Sequence, residues 1–222
     1  MTAFIFDMDG TLSDTVYAHV LAWHRALLEN GIEVPAWRVH RRIGMSGGLL
    51  MTDLAAETGI ELTDDVQERL NDAHARYLDE LRGEPRLLPG ANELLEALTE
   101  RAIDWAIATS SRPDAAQRTV ESLGLPDGAI VVTRADVARA KPEPDLFFAS
   151  AERLGAEPKT CYAVGDSTWD MVAALRAGMT GIGLLTGGYS ADELLRAGAT
   201  HVFQDPAKMT ESLDDLLGDH AP

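Results

Sequence analysis

An α/β fold with a parallel sheet, interrupted early by a block of helices, is what the sequence predicts, on three observations. From about residue 86 onward, short apolar runs alternate with longer helical patterns, the order that builds a parallel sheet covered on both faces. The opening run, 2–8, is apolar apart from Thr2 and Asp7, as a strand buried on both faces with a polar end should be. Residues 15–85 break the alternation and read as helix alone.

Taken in order, the predicted strands cover 2–8, 103–109, 129–133, 161–165 and 180–184, with a weaker one at 201–203. Between them the periodicity predicts helices near 90–101, 113–123, 144–154, 168–177, 190–197 and 206–217. Ser190 and Glu193 have capping-box spacing, and Pro144 and Pro206 suit first-turn positions, where a missing N–H is harmless. The early block reads as helices 15–30, 36–43, 48–58 and 64–82. Gly31 and Gly59 follow helical runs where C-terminal caps are expected, and Pro35 opens the next helix. The predicted organisation is a core of 1–14 and 86–222, with an all-helical cap, 15–85, inserted after the first strand. Nothing repeats at a fixed period, and no segment is low in complexity.

A chain of 222 residues suffices for one well-cored domain with a modest insertion. Its 45% hydrophobic and 25% charged residues are ordinary for a globular protein. The formal charge of -17, from 19 basic and 36 acidic residues, argues against nucleic acid or an anionic membrane as partner. Both are held by a basic face that displaces counterions. An acidic chain that takes an anionic ligand must build a local positive site, and a divalent cation would supply one. Cys161, the single cysteine, lies in an apolar run as a small buried hydrophobe does, and it has no intramolecular disulfide partner. No leader pattern is read at Met1, and no apolar run approaches the roughly 20 residues of a membrane span. These features predict a cytoplasmic protein; a monomer is the default expectation for a capped chain of this size.

Four short constellations carry chemistry. Asp7 and Asp9 close the first apolar run, at the strand end where open α/β sheets gather their ligands, and the turn at Gly10 lets two carboxylates converge on one cavity. Paired acids there divide roles, one attacking and one shuttling protons. A helix cap or Asx turn ahead of Thr15 is the bland alternative. Gly165-Asp166-Ser167-Thr168-Trp169-Asp170 puts Asp166 at another strand end and Asp170 one helical turn further on. Oxygen ligands from separate strand ends suit a hard cation such as Mg²⁺, although an Asp in this position also serves as an N-cap. Thr109-Ser110-Ser111 offers a hydroxyl and free N–H groups leading into a helix, an anion-binding corner or a routine cap. Lys141, in Lys141-Pro142-Glu143-Pro144-Asp145, is one of only three lysines, with Lys159 and Lys208. Locked by Pro142, it suits the neutralisation of a phosphate; an exposed loop lysine is the alternative.

In their order, Asp7-Met8-Asp9-Gly10-Thr11, the strand ending Thr109-Ser110, Lys141-Pro142 and Gly165-Asp166-Ser167-Thr168-Trp169-Asp170 closely resemble the four-motif signature of the haloacid dehalogenase superfamily. The helical insertion between the first two motifs resembles that superfamily's first cap class, seen in phosphoglycolate phosphatase-like and β-phosphoglucomutase-like members. The resemblance covers nearly the whole chain. It implies a Rossmann-like α/β core and a Mg²⁺-dependent phosphatase acting on a small phosphorylated metabolite. By that resemblance Asp7 would attack phosphorus in line and form an aspartyl-phosphate. Asp9 would protonate the leaving oxygen, then help activate the hydrolytic water, its backbone carbonyl meeting the metal. Thr109 and the Ser110 N–H would hold phosphate oxygens, and Lys141 would offset charge on phosphate and Asp7. Asp7 and Asp166 would bind Mg²⁺ directly, with Asp170 acting through a metal-bound water or as an orienter. Phosphoryl transfer yields to charge neutralisation and alignment, which this division supplies.

The acid at Asp9 implies phosphate-ester chemistry, because dehalogenases of the superfamily lack it and phosphonoacetaldehyde hydrolases carry a small residue there. Residues 15–85 contain no lysine. Neither a Schiff-base lysine nor the lid lysine of β-phosphoglucomutase-like enzymes therefore has a candidate, and a phosphatase is preferred over a phosphosugar mutase. In Arg41-Arg42-Ile43-Gly44-Met45-Ser46-Gly47-Gly48, glycines beside arginines suit a loop that closes over the substrate and reads its non-phosphate end. Arg41, Arg42, Gly44 and Ser46 are thus substrate-binding candidates, together with Ser111 and Arg112; solvated charges at a helix end are the alternative for the arginines.

The same loop matches Gly-x-Ser-x-Gly, the nucleophile elbow of a serine esterase built on Ser46. That motif demands a buried strand before it, whereas 37–42 is basic and helix-like, and the partner would have to be His201 or His220. A non-catalytic binding module would be expected to lack Asp7, Asp9, Lys141 or Asp166, and all are present. His19, His24, His40, His74, His201 and His220 show no metal-ligand spacing and read as structural or solvated.

Overall fold

A computed structural model describes residues 2–83 and 86–218, with only the backbone at Arg82. The first strand, β1 (Ala3–Phe6), is followed by four helices, α1 (Val16–Glu29), α2 (Ala36–His40), α3 (Gly47–Thr58) and α4 (Asp64–Arg82). The alternation then begins with α5 (Ala91–Glu100), β2 (Asp104–Ala108), α6 (Pro113–Ser122), β3 (Ile130–Val132) and α7 (Asp145–Leu154). It continues through β4 (Cys161–Gly165), α8 (Thr168–Ala177), β5 (Thr180–Leu184), α9 (Ala191–Ala197) and β6 (Ala199–Phe203). Two short helices close the described chain, α10 (Pro206–Glu211) and α11 (Leu213–Gly218).

The 6-stranded sheet has the order β3-β2-β1-β4-β5-β6, and every pairing is parallel. This is the expected Rossmann-like core. Strand side chains alternate between faces. Phe4, Phe6, Tyr162 and Val164 meet Leu94 and Leu98 of α5, Met209 of α10 and Leu213 of α11 on one side. Ala3, Ile5, Cys161 and Ala163 meet Leu146 and Phe147 of α7 and Ala173 and Ala174 of α8 on the other. The free thiol of Cys161 is buried in that second layer.

The four inserted helices have their own apolar cluster, in which Val20, Trp23 and Leu27 of α1 pack with Leu50 and Leu54 of α3 and Leu70 of α4. None of the apolar clusters among the described residues mixes side chains of the insert with those of the core. The two chain crossings pair with each other. Ser13 and Leu87 form an antiparallel bridge, the Asp14 N–H donates to the Arg86 carbonyl at 2.8 Å, and the Leu88 N–H donates to that of Leu12 at 3.0 Å. The predicted cap boundary at residue 85 lies outside the described residues. No helix among the described residues is long and apolar enough to cross a membrane.

Three local expectations are corrected. The helix predicted over 36–43 stops at His40, where the Arg42 and Ile43 N–H groups turn to the carbonyls three residues back, Val39 and His40, both at 3.0 Å, instead of continuing the i→i−4 ladder. The single helix predicted over 206–217 breaks at Ser212, just after Thr210, whose hydroxyl bonds back to the Pro206 carbonyl at 2.9 Å. Such back-bonding bends helices. Pro144 occupies the N-cap of α7 rather than its first turn, while Pro206 does open α10.

Candidate active site

The sheet order reverses direction about β1 and β4, the switch point at which open α/β sheets bind ligands. Asp7 leaves β1 there, with its N–H donating to the Val164 carbonyl of β4 at 2.8 Å, and Asp166 leaves β4 beside it. Asp7, Asp166 and Asp170 are buried, and ligand oxygens from the three lie within 4.8 Å of one another. Lys141, 0% exposed, contacts Asp7 through Nζ and approaches Asp170 Oδ1 at 2.8 Å.

Three buried carboxylates around one ammonium leave excess negative charge where water is scarce. Burial lifts Asp7 well above the usual carboxylate range, Lys141 opposes that rise and Asp170 adds to it. Burial, then Asp170 and Asp7, lift Asp166 likewise, against a Thr11 hydroxyl donating at 3.0 Å. Burial would depress Lys141, yet Asp170 and Asp7 hold it above the ordinary ammonium value. Oxygen donors alone, held close and short of positive charge, fit a hard divalent cation.

Local sequence explains how these acids are held. Ser167 caps α8: its hydroxyl and N–H donate to Asp170 Oδ2 at 2.5 and 3.0 Å, and the Asp170 N–H returns to Ser167 Oγ at 3.3 Å. Capping therefore falls to Ser167 and leaves Asp166 free of it. A Cβ added at Gly10 or Gly187 would lie 2.4 or 1.9 Å from Asp166 Oδ2, so hydrogen is the only side chain that fits at either position.

Asp9 has partners separate from those of Asp7. Its Oδ1 accepts from the Thr15 hydroxyl at 2.6 Å and lies 3.5 Å from His19 Nε2, while Oδ2 accepts from the Ser111 hydroxyl at 2.8 Å. Burial pushes Asp9 up, but His19 first, then Thr15 and Ser111, overcome it and hold Asp9 below the usual range. Behind His19 stands His74, Nε2 to Nδ1 3.3 Å, stacked on Trp23 with ring centroids 4.1 Å apart. Burial, reinforced by His19, holds His74 well below the usual imidazole value.

The remaining candidates spread out. Thr109 is buried, its hydroxyl accepting from the Ser111 N–H at 3.0 Å, and the Ser110 hydroxyl donates to the Gly44 carbonyl of the insert at 3.1 Å. Ser111 is thus engaged with Asp9. Arg41 pairs with Glu193 and lies 4.3 Å from the Tyr189 ring centroid, bridging insert and core. Arg42 pairs with Asp53 and Glu57 inside the insert, and Arg112 is exposed beside Asp114. The structure does not bring these last two to the acids. Ser46 is buried at the start of α3 and makes no side-chain capping bond. No strand precedes it, so an elbow is not formed; His201 sits on edge strand β6 beside Thr200, and His220 lies outside the described residues.

Gly44 seats the insert on the core, with φ +100 and room for a Cβ only 2.5 Å from Ser167 Oγ. Gly44→Ala is expected to lose about 1–2 kcal/mol and lower Tm by about 2–8 °C, read by thermal unfolding. An unchanged Tm would show that the loop docks elsewhere.

Sequence reasoning missed His19, His40 and His74. A signal for the first was available: His19 lies one helical turn after Thr15, on the face of α1 that carries Val16, Val20 and Trp23.

A family model for haloacid dehalogenase-like hydrolases matches residues 1–178. A phosphoglycolate phosphatase of Rhodospirillum rubrum is 33% identical over 97% of this chain and 90% of its own length. A β-phosphoglucomutase of Bacillus subtilis is 30% identical over 83% of each chain. The crystal structure of a hydrolase from Pseudomonas syringae superposes with a TM-score of 0.92 at 46% identity, covering 97% of this chain and 99% of that one. The chain belongs to the haloacid dehalogenase-like hydrolase family. Within it, the chain is one of the phosphoric-ester enzymes that comprise phosphatases and mutases.

Proposed function

We propose that this chain is a Mg²⁺-dependent phosphatase that hydrolyses small phosphorylated metabolites through an aspartyl-phosphate on Asp7, beneath a helical cap, 15–85. The observation that carries the reading is the burial of Asp7 against Lys141 within the acid cluster of Asp166 and Asp170. Asp7, Asp166 and the backbone carbonyl of Asp9 would hold Mg²⁺, with Asp170 orienting Lys141 and the α8 N-terminus. The ion when bound supplies charge neutralisation at the phosphate. Lys141, Thr109 and the Ser110 N–H orient the phosphate oxygens so that an Asp7 carboxylate oxygen attacks phosphorus in line. As the P–O ester bond breaks, a proton that Asp9 has taken up from solvent or from the substrate's own phosphate passes to the leaving oxygen, and the alcohol departs. Asp9 then takes a proton from water, whose oxygen attacks the acyl phosphate; inorganic phosphate leaves and Asp7 is restored.

An insert without lysine supports hydrolysis over mutase chemistry. The test is a panel of aryl, sugar, polyol and carboxylic-acid phosphates. Inorganic phosphate is expected to accumulate only with Mg²⁺ and to stop on chelation. A hexose 1-phosphate converted to the 6-phosphate without phosphate release would overturn the phosphatase assignment.

A further inference from the structure

We infer that His40 of the insert is a positioning residue for Asp166, so that seating of the insert and completion of the cation site are one event. The inference rests on the proposal that Asp166 is a metal ligand. It starts from the contact of Gly187 with that carboxylate, which leaves no space for even a Cβ between them. The position of this backbone therefore limits where Asp166 can turn.

What fixes the backbone comes from the insert. His40 Nε2 lies 2.8 Å from the Gly187 carbonyl, and because a carbonyl only accepts, that nitrogen carries the hydrogen. The His40 ring stacks with two tyrosines, Tyr17 of α1 at 5.5 Å between centroids and 2° between planes, and Tyr189 of the core at 5.6 Å and 29°. At Gly188 a Cβ would meet the Tyr17 hydroxyl at 2.6 Å and His40 Nε2 at 3.0 Å, so the segment is gripped over successive residues. From its other side, the Thr186 hydroxyl donates to the Gly10 carbonyl.

The next residue of the insert grips the other acid-bearing segment. The Arg41 carbonyl accepts from Trp169, the residue before Asp170, and from Tyr189. His40 and Arg41 thus hold 187–189 and 169 together, the two stretches that flank the acid cluster. Were the insert to lift away, the Gly187 carbonyl would lose its donor and Asp166 its fixed wall. By linkage, a cation that favours the ordered carboxylate must favour the seated insert to the same degree.

The experiment measures Mg²⁺ affinity by calorimetry on the full chain. His40→Ala is expected to weaken Mg²⁺ binding about 10- to 100-fold, the usual effect of losing a group that orients a metal ligand. His40→Gln, which keeps an N–H donor, is expected to stay within about threefold of wild type. Trp37→Ala, on the same helix but 64% exposed, is expected to bind as wild type does. An Ala variant that is less stable yet binds Mg²⁺ normally would reduce His40 to a structural contact and overturn the inference, as would equal losses in Ala and Gln. Should the Ala variant fail to fold, hydrogen exchange on wild type decides. Mg²⁺ is expected to slow exchange at the amides of 40–45, and unchanged exchange overturns the coupling. Wild-type protein that binds no Mg²⁺ would instead remove the cation site itself, and the inference with it.

Discussion

Asp7→Asn is expected to abolish Mg²⁺-dependent phosphate release, with kcat falling by about four orders of magnitude or more while the protein stays folded. The amide has the shape of the carboxylate but no anionic oxygen to attack phosphorus. Lys141 keeps Asp170 at 2.8 Å, so the substitution does not strand the ammonium. It also removes one of three crowded acids, and Tm is expected to hold or rise. Phosphate release and thermal unfolding on the same preparation separate the two effects. Activity retained within about tenfold of wild type would place the nucleophile elsewhere.

Removing the ammonium acts on stability first. Lys141→Ala leaves Asp7 and Asp170 buried without a counter-charge, an expected loss of about 3–5 kcal/mol, or about 6–20 °C in Tm for a chain of this size. The sign of its pH dependence follows from the raised carboxylates. Folded Asp7 and Asp166 keep their protons above the usual carboxylate range, so over that window the native state binds more protons than the unfolded chain. Stability from these groups is therefore highest at acid pH and falls as pH rises through their folded values. Mg²⁺ requires the ionised ligands. It should raise the wild-type Tm more at about pH 8 than at about pH 5.5, and equal shifts would overturn the assignment of the acids as its ligands.

Local signals make elements of both the insert and the core legible. The helix predicted over 64–82 is found at Asp64–Arg82, capped by the Thr63 hydroxyl, and the strand predicted over 180–184 is found at Thr180–Leu184. Ser190 and Glu193 form the capping box that their spacing suggests. Asp7 and Asp166 are readable because each follows a strand end, where topology alone gathers side chains; Asp170 is readable from its place in the first turn of α8, and Lys141 from its Lys-Pro pair in the turn ahead of α7. What was not readable depends on partners distant in sequence. His40 looks like a solvated helix histidine until Gly187 is brought to it, and Arg42 looks like a loop cation until Asp53 and Glu57 take it. His74 lies far along the chain from Asp9, and only the packing of α1 on α4 sets it behind His19.

The separation of the apolar clusters has a thermodynamic consequence. Insert and core meet through polar contacts, among them the Asp9 bonds to Thr15 and His19, the Ser110, Trp169 and Tyr189 hydrogen bonds, the His40 clasp and the pairs Arg41–Glu193 and Arg118–Asp79, while their oily cores stay apart. Heat-capacity change tracks apolar exposure, so opening the two against each other should carry little of it. The transition would then be governed by enthalpy, with a nearly straight van't Hoff plot. Warming would then shift the balance steadily toward the open form.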